Sequence, residues 1–317
     1  MIEAVTAEAV CKRYGAVPVR EGASLAFRRG ETLALLGRNG AGKTTLVKIL
    51  AAALAKDGGR VAVLGWGLDR APEQVQHLCG YVGQDSERSA YPRLTVRENL
   101  RFFGALRGLR RRQVDARIAV LAGELGFEDR LDALFGTLSG GQKQTAIIAR
   151  ALLHDPPVAL LDEPTKGLDP VAAARVRGFL RRQVRSGMAL LLTSHILGDV
   201  DALADRVALV HGGSVPVSGT PAALLGAVGA ADVVEVERAS LTARARARLS
   251  ALATVVRVLD ADPEWMGCAI RDPVAGLASI LAVLQAEGLQ ASFRQRAVTL
   301  QDAVLEHLSA LDARVAA

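Results

Sequence analysis

A glycine-rich segment that ends in a lysine and two threonines occupies residues 37–45, which read Gly-Arg-Asn-Gly-Ala-Gly-Lys-Thr-Thr. Glycines allow the backbone to curl tightly around a polyphosphate, and the N–H groups at the start of a helix attract anions. In such a loop the lysine reaches the β- and γ-phosphates, and the first hydroxyl binds Mg²⁺. The segment therefore predicts a site for a nucleoside triphosphate. Its candidate contacts are Gly37, Asn39, Gly40, Gly42, Lys43, Thr44 and Thr45.

Two carboxylates end an apolar run at residues 158–165, which read Val-Ala-Leu-Leu-Asp-Glu-Pro-Thr. Because side chains alternate along a strand, Asp162 and Glu163 are expected to point in different directions. One carboxylate can then hold hydrated Mg²⁺ while the next polarises an attacking water. We predict that Asp162 shares the metal with Thr44 and that Glu163 is the catalytic carboxylate.

A second candidate anion site lies at residues 138–144, Leu-Ser-Gly-Gly-Gln-Lys-Gln, which run into a helical segment. It combines a capping hydroxyl, bare backbone N–H groups and the positive end of a helix dipole. One fold seldom needs two such grips for one nucleotide, so we expect this one to clasp the γ-phosphate bound by another subunit. Its candidate contacts are Ser139, Gly140, Gly141 and Gln142.

Three further residues have both a functional and an ordinary interpretation. Tyr14 can stack on an adenine ring, or it can be a half-buried tyrosine in an antiparallel strand. Gln84, after the strand-like segment 79–83, can touch Mg²⁺ or water while the loop that follows senses a partner. His195 ends the apolar run 190–195. A lone histidine there is usually a surface residue, but after the preceding motifs a γ-phosphate contact is the better interpretation.

Strands and helices of an α/β fold must position these groups. The apolar run 32–36 predicts a buried strand before the glycine-rich loop, and residues 46–53 predict a helix after it. A chain of 317 residues, 50% of them hydrophobic, is expected to form two domains with a core in each. The sequence contains no apolar stretch long enough for a membrane span and no signal-peptide pattern, so we expect neither.

Composition adds few constraints on function. The three cysteines are far apart, which favours structural thiols in a reducing cytoplasm, and the five histidines show no metal-ligand spacing. The net charge is +6, and arginines are concentrated between residues 93 and 112. Either a solvated helix face or a surface for anionic headgroups or a membrane partner explains this cluster. Because no RNA- or DNA-binding module accompanies it, we expect no nucleic-acid partner.

Together, these motifs resemble the ATP-binding subunit of an ABC transporter over residues 1–222. The resemblance implies an α/β fold, the P-loop NTPase core of ABC ATPases, with an antiparallel β subdomain and a helical subdomain at about 85–155. It also implies ATP and Mg²⁺ as cofactors. Residues 37–45 resemble the Walker A loop and residues 138–142 the signature motif.

The resemblance also implies individual roles. Asp162 and Glu163 match the Walker B aspartate and the catalytic glutamate, and Asp169 matches the aspartate of the D-loop. Gln84 matches the Q-loop glutamine, which the family uses near the metal and the attacking water. The switch histidine and the adenine-stacking aromatic correspond to His195 and Tyr14.

The partners implied by the resemblance are a second ATP-binding subunit and a membrane permease. In a head-to-tail homodimer or heterodimer, the loop of Lys43 in one subunit and the Ser139 region of the other would enclose each ATP. An integral membrane permease is expected to contact Ser86–Leu100, which would hold the protein peripherally at the cytoplasmic face of the cell membrane. The sequence of Ser86–Leu100 resembles that region of ABC-2 exporters, which move drugs, antibiotics, lipids or polysaccharides. Arg38 and Thr145 depart from the family pattern, and Thr145 puts the local packing or dimer contact in question.

Residues 228–317 are expected to form a second, smaller α+β domain. The pattern predicts strands at 232–237, 254–259, 265–271 and 290–296, with helices at 242–252, 274–287 and 300–311. That order is compatible with a ferredoxin-like split βαβ unit. Residues 298–306 resemble the tail motif of daunorubicin-type exporter ATPases. A regulatory or dimer-supporting role and an inert stabilising role both remain open.

A soluble ABC-family ATPase that acts on ribosomes or DNA is the alternative hypothesis. Translation-type members usually carry two cassettes, whereas one set of motifs is present here. DNA-repair members insert long coiled coils between Walker A and the signature, and the segment between Lys43 and Ser139 is too short for that. An export ATPase is therefore the preferred hypothesis.

Overall fold

The computed structural model describes residues 3–14, 17–259 and 262–316. Its strands are β1 (Glu3–Tyr14), β2 (Val17–Arg28), β3 (Thr32–Leu36), β4 (Gly58–Val63), β5 (Trp66–Gly67), β6 (Cys79–Val82), β7 (Val158–Asp162), β8 (Ala189–Thr193), β9 (Arg206–His211), β10 (Ser214–Gly219), β11 (Asp232–Glu237), β12 (Val255–Leu259), β13 (Trp265–Ile270) and β14 (Phe293–Ala297). Its α-helices are α1 (Lys43–Leu50), α2 (Pro72–Leu78), α3 (Val96–Leu106), α4 (Arg111–Leu125), α5 (Gly140–Ala151), α6 (Pro170–Arg185), α7 (Leu197–Leu203), α8 (Pro221–Val228), α9 (Ala243–Ser250), α10 (Pro273–Ala286) and α11 (Leu300–Ala316).

Strands β3, β7 and β8 lie inside a six-stranded sheet, and every residue in each of them is buried. The strand order is β10-β9-β3-β8-β7-β6, and all neighbours are parallel except β10, which pairs antiparallel with β9 at the edge. Continuous apolar strands are typical of parallel sheets with both faces covered. The carboxyl ends of β3, β7 and β8 therefore meet at one edge, where ligands of open α/β sheets bind.

A smaller antiparallel sheet and a group of helices complete the first unit, Met1–Gly219. The smaller sheet has the order β2-β1-β4-β5. Helices α3, α4 and α5 contact one another and lie within the predicted helical subdomain. Helix α3 begins with a capping box between Thr95 and Glu98. In this box each residue satisfies a backbone donor of the other, which fixes the start of the helix.

The second unit, Thr220–Ala317, is an antiparallel sheet with helices. Its strand order is β12-β13-β11-β14. Alternate residues of β11 and β13 pack with α9 and α10 in one core, which contains Val234, Val236, Met266, Cys268, Ile270, Leu249 and Ile280. The order of elements and the pairing of the strands are those of a split βαβ unit, followed by α11.

The predicted order of elements in this unit is observed, with shifts of one to three residues at most boundaries and a longer last helix. Helix α8 was missed, because the predicted domains ended at 222 and began again at 228. Its N-cap Thr220 accepts a hydrogen bond from Ala223 N, and Pro221 begins the helix. This arrangement of a capping hydroxyl and a proline at the first position is a common helix start. Within the described parts of the chain, each helix is too short or too polar to cross a bilayer.

Candidate nucleotide site

The glycine-rich loop joins the carboxyl end of β3 to the first turn of α1. Gly40 and Gly42 have φ angles of 79° and 96°, in the left-handed region that favours glycine. Helix α1 has no acidic residue in its first turn, so the partial positive charge at its N-terminus is not neutralised there. Asn39 is exposed on the loop, and Thr45 is half-buried in the first turn. The loop thus leads into a helix N-terminus that can attract an anion, and the predicted phosphate contacts stay a prediction.

Gly37 is required by a contact that the sequence did not reveal. A Cβ at this position would lie 2.3 Å from the carbonyl oxygen of Val210 in β9. A side chain there would push the loop away from the neighbouring strand. The glycine therefore fixes where the loop leaves the sheet, in addition to any approach of phosphate.

Lys43 folds back over the loop. Its Nζ donates to the carbonyl oxygens of Gly37 and Arg38 at 2.7 Å and 3.1 Å. Burial lowers the pKa of the Lys43 ammonium, while the nearby charges of Glu163 and Asp162 oppose that shift. The cation is held at the centre of the loop, on the side of the two carboxylates.

Thr44 and Asp162 join the loop to the end of β7. The Oγ1 of Thr44 donates to Oδ2 of the buried Asp162 at 2.8 Å. Hydroxyl and carboxylate oxygens are hard donors, and Mg²⁺ is commonly bound by one or two such side chains together with phosphate and water. No group of three His, Cys, Asp or Glu side chains suited to a metal occurs in the described parts of the chain. The pair therefore fits Mg²⁺ bound jointly by protein and nucleotide, and Thr44 and Asp162 would be its protein ligands.

Glu163 and His195 meet at the same edge of the sheet. Oε2 of Glu163 lies 2.7 Å from Nδ1 of His195 and accepts a hydrogen bond from its backbone N at 3.3 Å. Glu163 has a φ of 53°, which is unusual for a non-glycine residue. Strained backbone of this kind persists where the surroundings hold it, and it is frequent at active sites. The side chain of His195 is 63% exposed, so the pair is open to a ligand.

Thr193 was not predicted but holds both carboxylate residues. Its Oγ1 donates a short hydrogen bond to Oδ1 of Asp162. Its carbonyl oxygen and Oγ1 accept from Glu163 N at 3.1 Å and 3.2 Å. The signal was present, because Thr193 is the polar residue that ends an apolar strand adjacent to β7.

Gln84 is exposed on the loop after β6. It lines a cavity of about 530 Å³ with Asp85, Glu87 and Lys143. Among the described residues, no hydrogen bond joins Gln84 to Thr44 or Asp162. The metal contact of Gln84 stays a prediction.

The signature segment opens helix α5 at a different cavity. Ser139 caps the helix: its Oγ accepts from Gln142 N at 3.3 Å, and Oε1 of Gln142 accepts from Ser139 N at 3.0 Å. Ser139, Gly140, Gly141 and Gln142 line a cavity of about 570 Å³ to which the glycine-rich loop contributes no residue. The Ser139 segment and the glycine-rich loop therefore do not share this cavity, and the second anion site stays a prediction.

Asp169 lines the cavity of Ser139 and caps α6. Its Oδ1 accepts from the backbone N of Val171 and of Ala172, each at 2.9 Å. Buried Thr145 donates from Oγ1 to the carbonyl oxygen of Gly141 at 3.0 Å. The departure from a basic residue at position 145 is thus accommodated within the helix.

Tyr14 is the last residue of β1 and is 51% exposed. It does lie in an antiparallel strand, but its ring is more exposed than the ordinary interpretation required. Nζ of Lys12 lies 5.9 Å from the ring centroid. The ring is thus available to a planar ligand.

The arginine cluster is engaged largely within its own unit. Nε of Arg97 donates to Asp132 at 2.8 Å, and Nε of Arg101 donates to Asp115 at 2.7 Å. Arg107 is half-buried and donates to the carbonyl oxygen of Gln76. These contacts favour a structural and solvated role over a surface for lipid headgroups.

A family model described as ABC transporter matches residues 21–166. The daunorubicin resistance ATP-binding protein DrrA3 of Streptomyces coeruleorubidus is 34% identical over 313 residues, which cover 98% of each chain. The Nod factor export ATP-binding protein I of Ralstonia nicotianae is 33% identical over 304 residues, covering 95% of this chain and 92% of that protein. Among solved structures, an ATP-binding subunit of an ABC transporter matches with a TM-score of 0.65 and 30% identity, covering 71% of this chain and 93% of that one.

Proposed function

The chain belongs to the family of ABC transporter ATP-binding proteins, and from this premise we propose that it hydrolyses ATP to power export through a separate membrane permease. The observation that carries the proposal is the hydrogen bond between Thr44 and Asp162, with the contact of Glu163 and His195 beside it. A phosphate loop, two candidate ligands for one Mg²⁺ and a general-base candidate lie at one sheet edge. These are the parts that phosphoryl transfer to water requires.

ATP binding is assigned to the loop and helix α1. Backbone N–H groups of the loop and the helix dipole attract the phosphates, and Lys43 exchanges its carbonyl partners for phosphate oxygens. Thr44 and Asp162 hold Mg²⁺, which neutralises charge on the phosphates when it is bound. Tyr14 stacks on the adenine ring.

Hydrolysis is assigned to Glu163 and His195. The Glu163 carboxylate orients the attacking water and accepts its proton, because it lies beside the phosphate loop on a backbone that Thr193 fixes. His195, whose side chain is open to solvent, contacts the γ-phosphate and stabilises charge on the transferring group.

Two subunits are required in this proposal. The grip at Ser139 lines a cavity without any residue of the glycine-rich loop, so one chain offers two half-sites. In a head-to-tail dimer, each ATP lies between the loop of one subunit and the segments of Ser139 and Asp169 in the other. Closure of the dimer on ATP and its opening after hydrolysis supply the mechanical step.

The permease contact is assigned to the surface that follows Gln84. Tyr91 and Phe102 are 46% and 39% exposed, and their ring centroids lie 5.0 Å apart. Exposed aromatic clusters of this kind commonly mark protein interfaces. This contact would hold the chain peripherally at the cytoplasmic face of the membrane.

The cargo class follows from the relatives and is itself part of the proposal. Two of them are named for daunorubicin resistance and for Nod factor export. One name states export and the other states resistance to a drug, which together favour an exporter for a drug, antibiotic, lipid or polysaccharide. They also favour a transporter over a soluble ATPase that acts on ribosomes or DNA.

The replacement Glu163→Gln tests the catalytic assignment. We expect ATP turnover to fall by about 100-fold or more while ATP affinity stays within about threefold, because the amide cannot take the proton. Glu87→Gln, in an exposed ion pair with Lys143, is the matched control and should leave turnover unchanged. Undiminished turnover in Glu163→Gln would refute the catalytic role.

The partner is tested by purification from native membranes. We expect the wild-type chain to retrieve a multi-span membrane protein, and Tyr91→Ser with Phe102→Ser to lose it while ATP turnover of the isolated chain persists. Retrieval of ribosomes or DNA in place of a membrane protein would contradict the export proposal.

A further inference from the structure

A buried carboxylate behind the hydrolytic edge has no role in the proposed function. Asp199, in the first turn of α7, has a side chain with no exposure to solvent. Its Oδ2 accepts hydrogen bonds from Oγ1 of Thr165 and, at 3.0 Å, from Oγ of Ser194. Burying an ionised carboxylate is costly unless it is paired and hydrogen-bonded, so this arrangement is a strong local constraint.

Each hydroxyl belongs to one of the two segments that carry the hydrolytic pair. Thr165 follows Glu163 by two residues, and Ser194 immediately precedes His195. Both hydroxyl residues are buried, at 2% and 3% exposure. One carboxylate oxygen therefore connects the loop after β7 to the loop after β8.

Arg177 compensates the charge of Asp199 and extends the connection to a third element. Its Nη1 donates to Oδ1 of Asp199 at 3.0 Å. Arg177 lies on α6, the helix that Asp169 caps. The cluster of Thr165, Arg177, Ser194 and Asp199 thus reaches the element that lines the cavity of Ser139.

We propose that Asp199 is a positioning residue that holds the loops of Glu163 and His195 in the register that brings these two side chains to 2.7 Å. The inference rests on the proposed hydrolytic function of that pair. Asp199 does not touch the nucleotide; it acts through Thr165 and Ser194. Ser194 adds rigidity, because its Oγ also accepts from Ile196 N at 2.9 Å, which fixes the backbone after His195.

The replacement Asp199→Asn tests the proposal because an amide offers one donor group where three donors now converge. We expect kcat to fall about tenfold or more while KM for ATP changes less than about twofold, since a displacement near 1 Å costs catalysis but leaves the phosphate loop intact. Thr165→Val removes one hydrogen bond to Asp199, and Ser194→Ala removes another together with the bond from Ile196 N. Each should cause a smaller loss of kcat than Asp199→Asn. These two variants keep the Asp199–Arg177 ion pair and serve as the test if Asp199→Asn does not fold.

Asp302→Asn is the matched control. Asp302 is also buried, and it forms an ion pair with Arg296 within the second unit. We expect it to lower the Tm of its unit without altering kcat. If Asp199→Asn lowers only the Tm in the same way, Asp199 is merely structural and the proposal is overturned.

A variant that lacks both hydrolytic side chains separates this inference from the proposed function. In the Glu163→Gln/His195→Ala background, Asp199→Asn should lower the residual turnover no further, because both side chains through which Asp199 acts are already absent. A further tenfold loss there would overturn the proposal. If Glu163→Gln itself keeps full turnover, the proposed function fails; if it loses turnover while Asp199→Asn does not, only the positioning role fails.

Discussion

Oγ1 of Thr44 donates to Oδ2 of Asp162 at 2.8 Å across 118 positions of sequence. This bond joins the first turn of α1 to the end of β7 and closes the site on its metal side. Thr193 holds the other oxygen of the same carboxylate. The two hydroxyls that bond to Asp162 therefore come from the first turn of α1 and the end of β8.

The candidate Mg²⁺ ligands Thr44 and Asp162 predict how ATP turnover depends on Mg²⁺. We expect Asp162→Asn to lower ATP turnover by about 100-fold or more at fixed Mg²⁺, because a neutral amide is a much weaker ligand for a hard cation. Thr44→Ser keeps the hydroxyl and should retain the Mg²⁺ dependence of the wild type within about threefold. Measuring ATP turnover as a function of Mg²⁺ concentration tests this prediction. A curve for Asp162→Asn identical to that of the wild type would rule out Asp162 as a Mg²⁺ ligand.

The ring of Tyr14 predicts a change in KM without a change in kcat. Stacking of a base on an aromatic ring contributes about 1–3 kcal/mol, so Tyr14→Ala should raise KM for ATP about fivefold or more. Tyr14→Phe preserves the ring and should remain within about twofold of wild type. Equal KM values for the alanine variant and the wild type would remove Tyr14 from the nucleotide site.

His154 predicts a loss of stability in mild acid. Burial, together with the charge of Arg107, lowers the pKa of His154 to about 4, well below an ordinary histidine. The unfolded chain therefore binds the proton first as pH falls, so the stabilisation is complete above the ordinary histidine pKa and is lost towards pH 4.

Thermal unfolding between pH 7 and 4.5 measures this effect. In His154→Gln, which cannot titrate, we expect the fall in Tm over that range to be shallower than in wild type. His307→Gln, at a histidine of the second unit, should keep the wild-type slope. A slope in His154→Gln as steep as in wild type would assign the acid sensitivity to other groups.

The contacts of Arg150 predict that helix α5 is mechanically linked to Ser86–Leu100, the proposed contact surface for the permease. Its Nη2 donates to the carbonyl oxygen of Ser86 at 2.9 Å, and its guanidinium lies 4.4 Å from the centroid of the Phe103 ring. Burial lowers the pKa of Arg150 to about 10, so it remains charged at neutral pH. Helix α5 is thus held directly to the start of Ser86–Leu100.

Arg150→Lys keeps a cation but loses the planar group that makes both contacts. We expect ATP turnover stimulated by the permease to fall about fivefold, in the range of measured coupling energies, with the basal turnover of the isolated chain less affected. Arg112→Lys, at an exposed arginine of helix α4, should change neither rate. Equal losses of basal and stimulated turnover in Arg150→Lys would contradict the link.

The sequence predicted the elements of the site better than the contacts behind them. The loop at Lys43, the carboxylates at 162–163 and the element order after residue 228 each have a local pattern of spacing or periodicity, and the structure forms all three. The cluster around Asp199 has no such pattern, because its members come from four separate segments and meet only after the sheet has formed. Gly37 was recognised as part of a phosphate loop, but its close approach to Val210 is a tertiary contact.

The contacts of exposed polar side chains are the least predictable from the sequence. The charge density of residues 93–112 is visible in the sequence, but the carboxylates at positions 115 and 132 that pair with Arg101 and Arg97 are brought there by tertiary packing. Gln84 is a different case. Its motif predicts a metal contact, which stays a prediction, while its exposed side chain lines a cavity with Asp85, Glu87 and Lys143.

The central claim is that one ATP needs the loop of one chain and the Ser139 segment of another. Size-exclusion chromatography of Glu163→Gln with and without ATP and Mg²⁺, compared with the double variant Glu163→Gln/Ser139→Arg, tests it directly. We predict an ATP-dependent dimer for Glu163→Gln and a monomer for the double variant, while both bind a fluorescent ATP analogue with equal affinity. A dimer that persists in the double variant, or a loss of nucleotide affinity with Ser139→Arg in the monomer, would contradict the composite site.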